Sequence, residues 1–238
     1  MTLILTNDDG IDAPGIRALQ SAIALEAKVS NPKPFIPKPF ILVAPLHPHS
    51  GCGHQVTTQQ PIAIQRRSPQ EYAVVGTPAD CARLGLIHLA PQATWVLSGI
   101  NAGGNLGVDV YLSGTVAAVR EAAMHGIPGI ALSHWIRRPQ SIDWEVASRW
   151  AAQVIALLWE QPLPKGSFWN VNLPHLPPNS PDPPIIFCKP SIHPLPVQYR
   201  IEDDVFYYRG EYSERDRAPG TDVDVCFSGN IAVTQIAL

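Results

Sequence analysis

LILTNDDGIDAPGIRAL, Leu3 to Leu19, holds a buried strand, a turn and the start of a helix in seventeen residues. The apolar run Thr2–Thr6 is short, continuous and bounded by turn residues, so it predicts a strand buried on both faces. It ends in two adjacent carboxylates, Asp8 and Asp9, then Gly10. A second turn signal at Asp12, Pro14 and Gly15 leads into Ile16, Leu19, Ile23 and Ala27, which share one face of a helix predicted over Pro14–Val29. Strand, turn and helix in that order open a βαβ unit. The like charges at the strand's exit repel each other and resist joint desolvation, so something must neutralise them.

Moving outward, Asn31–Phe40 carries Pro32, Pro34, Pro37 and Pro39 and predicts an extended, exposed loop. Phe40–Pro45 predicts a second buried strand, and Pro61–Gln65 and Tyr72–Val75 two short ones. Thr77–Leu89 predicts a helix with Thr77 as N-cap, Pro78 in the first helical position and Asp80 in the first turn. Strands are predicted at Thr94–Gly99, Ile127–Ser133 and Phe168–Leu173, with helices at Ser113–Gly126 and Ile142–Glu160 between them. This alternation predicts an α/β fold, a Rossmann-like, mostly parallel sheet with helices on both faces. After Leu173 the texture changes. A Pro-rich segment, Pro174–Pro184, precedes strand-like runs at Ile185–Lys189, Val197–Ile201, Val205–Arg209, Val223–Phe227 and Ile231–Ile236, with a hairpin turning at Asp203–Asp204. The expected organisation is a core over 1–173 and a β-rich extension over 174–238, an oligomerisation arm plus strands returning to the core.

The 238 residues are 45% hydrophobic and 16% charged, enough for a sizeable core. A net charge of −3 argues against broad binding to nucleic-acid backbones. No apolar run approaches the roughly 18 residues that span a membrane. The N-terminus has no secretory pattern. The 4 cysteines are dispersed, with no C-x-x-C. The expectation is a cytoplasmic protein with free thiols.

In open parallel sheets ligands bind beyond the carboxyl ends of the strands. Four polar segments leave strands there: Asn7–Gly10, Ala44–His54, Ser98–Gly107 and Ser133–Trp135. Two carboxylates plus neutral oxygens suit a hard divalent cation, while Asp8, Asp9 or Asp12 can instead cap the next helix; Asp12 is the better cap. In SGINAGGNLG, Asn101 and Asn105 offer amide oxygens to a metal or amide donors to an anion, and a Gly/Asn turn without ligand has the same composition. Ser113, Gly114 and Thr115 open a helix, where free N–H groups and the dipole make an anion seat or an ordinary cap. His47, His49, Cys52 and His54 are zinc-type ligands in a spacing that matches no standard zinc pattern. Ser50 with Gly51 and Gly53 brings a hydroxyl and backbone to the site. His54 is either a proton donor or a structural hydrogen-bonder. No G-x-G-x-x-G follows the first strand, which weighs against a nicotinamide oxidoreductase.

LTNDDGIDAPGI (5–16), VAP with SGCGH (43–54), VGTPADC (75–81), SGINAGGNLGVDVYLSGTV (98–116) and NVNLP (170–174), in that order, resemble the SurE family of survival-protein nucleotidases. GTDVDVCFSGNIAVTQI (220–236) is similar to that family's closing segment. The resemblance implies a metal-dependent phosphatase, a 5′-nucleotidase or acid-type phosphomonoesterase, acting on nucleoside 5′- and 3′-monophosphates and on short polyphosphate. It implies one divalent ion per subunit, Mg²⁺ or Mn²⁺, and a homodimer or homotetramer, with neither membrane nor nucleic acid as partner. Carried over, the metal ligands fall on Asp8, Asp9, Ser50 and Asn101, and the phosphate-facing segment on Ser113, Gly114 and Thr115. With the reading of the loops added, the expected catalytic set is Asp8, Asp9 and His54, and Asn7, Gly51, Asn101 and Asn105 join the phosphate-facing set. The chain departs from the family pattern in its LHPHS loop, in Gln55, in AAVREA after SGTV, and in the Pro-rich insertion. The rival reading is a regulatory module that binds metal and nucleotide without turnover.

Overall fold

The computed structural model describes residues 2–29, 39–137 and 139–238. Strands β1 (Thr2–Thr6), β2 (Phe40–Pro45), β3 (Ile64–Ser68), β4 (Glu71–Val74), β5 (Ala93–Ala102), β6 (Gly129–His134), β7 (Ser167–Leu173), β8 (Ile185–Phe187) and β11 (Ile231–Ala237) form one sheet in the order β3-β4-β2-β1-β5-β6-β7-β11-β8. Pairing is parallel except β3 with β4 and β7 with β11. β9 (Tyr199–Glu202) and β10 (Val205–Tyr208) make a separate antiparallel hairpin. The predicted α/β sheet with helices on both faces and a C-terminal hairpin is therefore present.

Helices α1 (Pro14–Val29) and α4 (Trp144–Trp159) cover one face, α2 (Pro78–Leu84) and α3 (Gly114–Met124) the other. Alternation along β1 explains the two layers. Leu3 and Leu5 meet Leu19, Ile23 and Trp150 in one core, and Ile4 meets Cys81, Val116 and Val119 in the other. Helix α1 comes very close to the sheet. A Cβ built on Gly15 would lie 1.9 Å from the Ile100 carbonyl oxygen, so only glycine fits. Gly15→Ala is expected to cost about 3 kcal/mol, read as a lower urea midpoint at unchanged slope.

Three sequence expectations are corrected. Val223–Phe227 is not a strand but lies in helix α5 (Asp222–Phe227). Its alternating Val223, Val225 and Phe227 look like a strand, yet Cys226 between them is buried too. All four pack around Leu106, Trp135 and Ala232. Asp222 holds the helix start by accepting N–H bonds from Gly107 (2.7 Å) and Ser191 (2.8 Å). Asp12 does not cap α1; it pairs with Arg67. The α-helix after Thr77 stops at Leu84, and Gly85–Leu89 continue as a π-helical turn. The Pro-rich reading of 31–40 falls, for 31–38, outside the described residues. No described helix is long and apolar enough to cross a membrane.

Candidate functional site

The turn after β1 is built by Asn7 and Gly10. Asn7 Nδ2 donates to the Gly10 carbonyl (2.8 Å), and Gly10 takes a positive φ of 100°. The Ile11 N–H donates to the Pro45 carbonyl (2.8 Å) and the His49 N–H to the Asp8 carbonyl (2.8 Å). These two bonds staple the loops after β1 and β2 together.

Asp8 is buried and accepts a hydrogen bond from the Thr115 hydroxyl at the start of α3. The approach there is tight: a Cβ on Gly114 would lie 2.9 Å from Asp8 Cβ and 3.0 Å from Cys52 Sγ. Glycine at 114 thus lets the acidic turn sit against the helix N-terminus. Asp9 turns to the other neighbour, where its Oδ2 accepts the Ala102 N–H (3.1 Å) from the end of β5. Burial raises the Asp8 pKa to about 6, the Thr115 bond opposes this, and the Asp9 charge adds to it. Burial raises Asp9 as well. The strand-end pair is thus disfavoured as two anions in the protein alone.

Asn101 donates its Nδ2 to the Gly103 carbonyl (2.7 Å), which leaves its Oδ1 as the free end of the amide. Ser50 is exposed on a loop held at both ends, by the His49 bond to Asp8 and by the Gly53 N–H on the Leu112 carbonyl (3.0 Å). Gly51, at φ +70°, has open space where a Cβ would stand. Ser113 is the N-cap of α3, its hydroxyl accepting from the Val116 N–H (3.1 Å). Ser50 follows the His49 whose N–H bonds the Asp8 carbonyl, and Asn101 precedes the Ala102 whose N–H bonds Asp9, so the side chains that these loops bring to the two carboxylates offer oxygen. They fit a small hard divalent cation and do not fit a thiolate metal. Among the described residues no three His, Cys, Asp or Glu side chains gather as metal ligands. An ion at the pair would therefore complete its shell with neutral oxygens and water.

Two expected site residues are engaged elsewhere. Asn105 is buried. Its Nδ2 donates to Ser133 Oγ (2.7 Å), its N–H to Asn172 Oδ1 (2.8 Å), and its carbonyl accepts from Asn170 and Asn172. Its backbone groups and one Nδ2 hydrogen fasten the β5 loop to β6 and β7, and the second Nδ2 hydrogen is its remaining donor. His54 has both ring nitrogens occupied, Nε2 by Glu121 Oε2 (2.8 Å) and Nδ1 facing Arg120 (3.4 Å). Glu121 itself is buried among His54, Arg83 (2.8 Å) and His125 (3.2 Å). Those partners outweigh its burial and hold its pKa down at about 2.

Sequence reasoning missed the Ala102 N–H, which as backbone leaves no side-chain signal. It read Thr115 as part of an anion seat or a cap, and missed that its hydroxyl carries Asp8. It missed Glu121 altogether, where a glutamate in an alanine-rich helix, AAVREAAM, was the available hint.

The family model for survival protein SurE matches residues 3–190. A Nostoc sp. (strain PCC 7120) protein named as a candidate 5′-nucleotidase is 58% identical over 99% of each chain, and one of the same name from Synechocystis sp. (strain PCC 6803) is 57% identical over 99% of each. The crystal structure of SurE protein from Aquifex aeolicus superimposes with a TM-score of 0.84 at 30% identity, covering all of this chain and 93% of that one.

Proposed function

Because this chain belongs to the survival protein SurE family, we propose that it is a metal-dependent phosphomonoesterase that hydrolyses nucleoside 5′- and 3′-monophosphates. The observation that carries this reading is the Asp8–Asp9 pair, with Asp8 buried against the start of α3 and Asp9 held at the end of β5. Asp8, Asp9, Ser50 Oγ and Asn101 Oδ1 would hold one Mg²⁺ or Mn²⁺. That ion supplies Lewis-acid polarisation of a phosphoryl oxygen and lowers the pKa of bound water.

The chain's own residues do the rest. Thr115 and Ala102 fix the two carboxylates in direction, one toward each neighbouring element. First-turn N–H groups of α3, Gly114 foremost, have no acceptor within the helix and attract the phosphoryl oxygens, aided by the helix dipole. Preorganised donors of this kind stabilise charge that grows on those oxygens in the transition state. Gly51 leaves room on the loop for the ester. Asn7 shapes the turn that presents the acids. His54 is assigned here to positioning the Ser50 loop on α3.

Phosphate release from a panel of nucleoside monophosphates, with Mg²⁺, Mn²⁺, Zn²⁺ or chelator, tests the reading. Chelator is expected to lower release at least about 100-fold, with recovery on adding Mg²⁺ or Mn²⁺. A chain that binds nucleotide but releases no phosphate in any metal would be a binding module instead.

Residues 174–238 are proposed as an arm plus a return to the core. In the β9–β10 hairpin all eight strand residues are exposed, among them Tyr199, Ile201, Phe206 and Tyr208. A lone two-stranded hairpin with an apolar surface is marginal by itself and is covered by packing on another copy. Replacing Tyr199–Tyr208 with a short Gly/Ser linker is expected to reduce the mass seen by light scattering. An unchanged mass would rule the arm out. The replacement spares β11, which lies inside the main sheet.

A further inference from the structure

A second concave region lies across the carboxyl edge of the sheet from α3, on the α4 side. It is a cavity of about 480 Å³ lined by His134 at the end of β6, Trp150 of α4, and the loop from His175 to Ser180. That volume falls in the range of small-molecule sites, about 300–1,000 Å³.

Its polar groups have defined roles. His134 is buried, and its Nδ1 donates to the Trp135 carbonyl (2.7 Å), so Nε2 is left as an acceptor. His175 Nδ1 accepts the Arg137 N–H (3.2 Å), so its Nε2 carries the proton and donates. The rings meet edge to face at 5.4 Å. Burial holds His134 down at a pKa of about 4 and lowers His175, so both stay neutral near pH 7. Among the described residues His134 Nε2 makes no hydrogen bond, while the His175 ring faces the Trp135 carbonyl as well as the Arg137 N–H.

The charged groups of the lining are already paired, and its other polar side chains, Gln140, Ser141, Asn179 and Ser180, are neutral. Trp150 is locked by its Nε1 bond to Asp182 (2.9 Å), and Arg149 pairs with the same carboxylate (3.1 Å). Asp143 is committed to the first N–H groups of α4 (3.0 and 3.1 Å). With its charges spent, the cavity favours a neutral ligand over a phosphate or a cation. An acceptor and a donor side by side next to an indole wall match the edge of a neutral, planar nitrogen heterocycle.

The cavity also adjoins the acidic pair. His134 is in register with Ala102, and it is the Ala102 N–H that holds Asp9. Neighbouring strands are about 4.8 Å apart.

The geometry points to this cavity as a nucleobase pocket, with His134 Nε2 accepting from the base, His175 Nε2 donating to it, and Trp150 packing on its face. The base belongs either to the substrate itself, which rests on the phosphatase reading above, or to a free nucleoside.

Calorimetric titration of the full chain with adenosine, guanosine, cytidine and uridine, without phosphate or metal, tests it. At least one nucleoside is expected to bind. His175→Phe should weaken it about 10-fold, the worth of one hydrogen bond. His175→Gln, which keeps a donor, should stay within about 3-fold of wild type. Ser141→Trp, at the exposed rim, should block the pocket sterically and weaken binding at least about 10-fold, independently of any loss of fold in the His175 variants. Failure of all four nucleosides to bind at millimolar concentration overturns the proposal. So does binding that Ser141→Trp leaves unchanged. The source is read from kinetics. Competitive inhibition of nucleoside monophosphate hydrolysis means the pocket holds the substrate's base, and binding without competition means a free nucleoside. Absence of any phosphate release would sink the phosphatase reading alone, because nucleoside binding is measured without it.

Discussion

Asp8→Asn lowers phosphate release from nucleoside monophosphates about a thousand-fold in saturating Mg²⁺ or Mn²⁺ and makes the metal-free protein more stable. The loss follows from removing one of only two anionic ligands at a site whose other donors are neutral. Asparagine keeps the size and can still accept the Thr115 hydroxyl, so the turn is expected to keep its shape. The gain follows from the sign of the pKa shift. Asp8 titrates at about 6 in the fold against 3.8 unperturbed, so the fold prefers its protonated form. The resulting stability is full below pH 3.8 and is lost as pH rises through 6. At pH 7 the asparagine variant should therefore exceed metal-free wild type by about 2–3 kcal/mol. Wild type should recover that deficit on adding the divalent ion, and the variant should gain little. Urea melts with and without chelator, beside the phosphate assay, check both halves. Full activity in Asp8→Asn would remove the acidic pair from the chemistry.

Glu121→Gln is expected to cost about 3 kcal/mol at neutral pH, the largest stability loss predicted for a single polar side chain here. Glu121 is buried and anchors Arg83, His54 and His125 from three segments. The amide leaves Arg83 beside a neutral group and can satisfy only part of the ring. The pH dependence has the opposite sign to that of Asp8. With its pKa lowered from 4.5 to about 2, Glu121 contributes stability that is full above pH 4.5 and lost as pH falls toward 2. The gap between wild type and Glu121→Gln should narrow over that window. Denaturant melts at pH 7 and pH 3 measure it, and an equal gap at both would refute the assignment. If His54 positions the Ser50 loop, the same variant should raise KM for metal or nucleotide more than it lowers kcat.

What the sequence made legible was local. β1 and α1 have the predicted bounds because apolar periodicity and turn residues act within a few positions. Thr77 with Asp80 forms the full capping box expected of that pattern, and Ser113 caps α3. The hairpin turns at Asp203, which takes the positive φ (53°) that such a turn asks of an aspartate. What escaped was set by partners far along the chain. Asp12 looks like a cap until Arg67, from β3, reaches it. Asn105 looks free until Ser133 and Asn172 take up its groups. Val223–Phe227 looks like a strand because burial on every side erases the difference between periods of 2 and 3.6. His134 lies in one of the four polar strand ends, but nothing in the chain order says that it meets His175.

The place of β11 between β7 and β8 has a consequence for biosynthesis. When β7 emerges from the ribosome, every strand on its β6 side has already been made, but its other edge has no partner. That edge stays open while the residues between Leu173 and Ile231 are translated, a delay of several seconds at ordinary elongation rates. A buried, aromatic-rich strand exposed for that long is the segment of this nascent chain most in need of chaperone cover. Slow codons in that interval should lower the yield of native protein more than the same codons placed before β7.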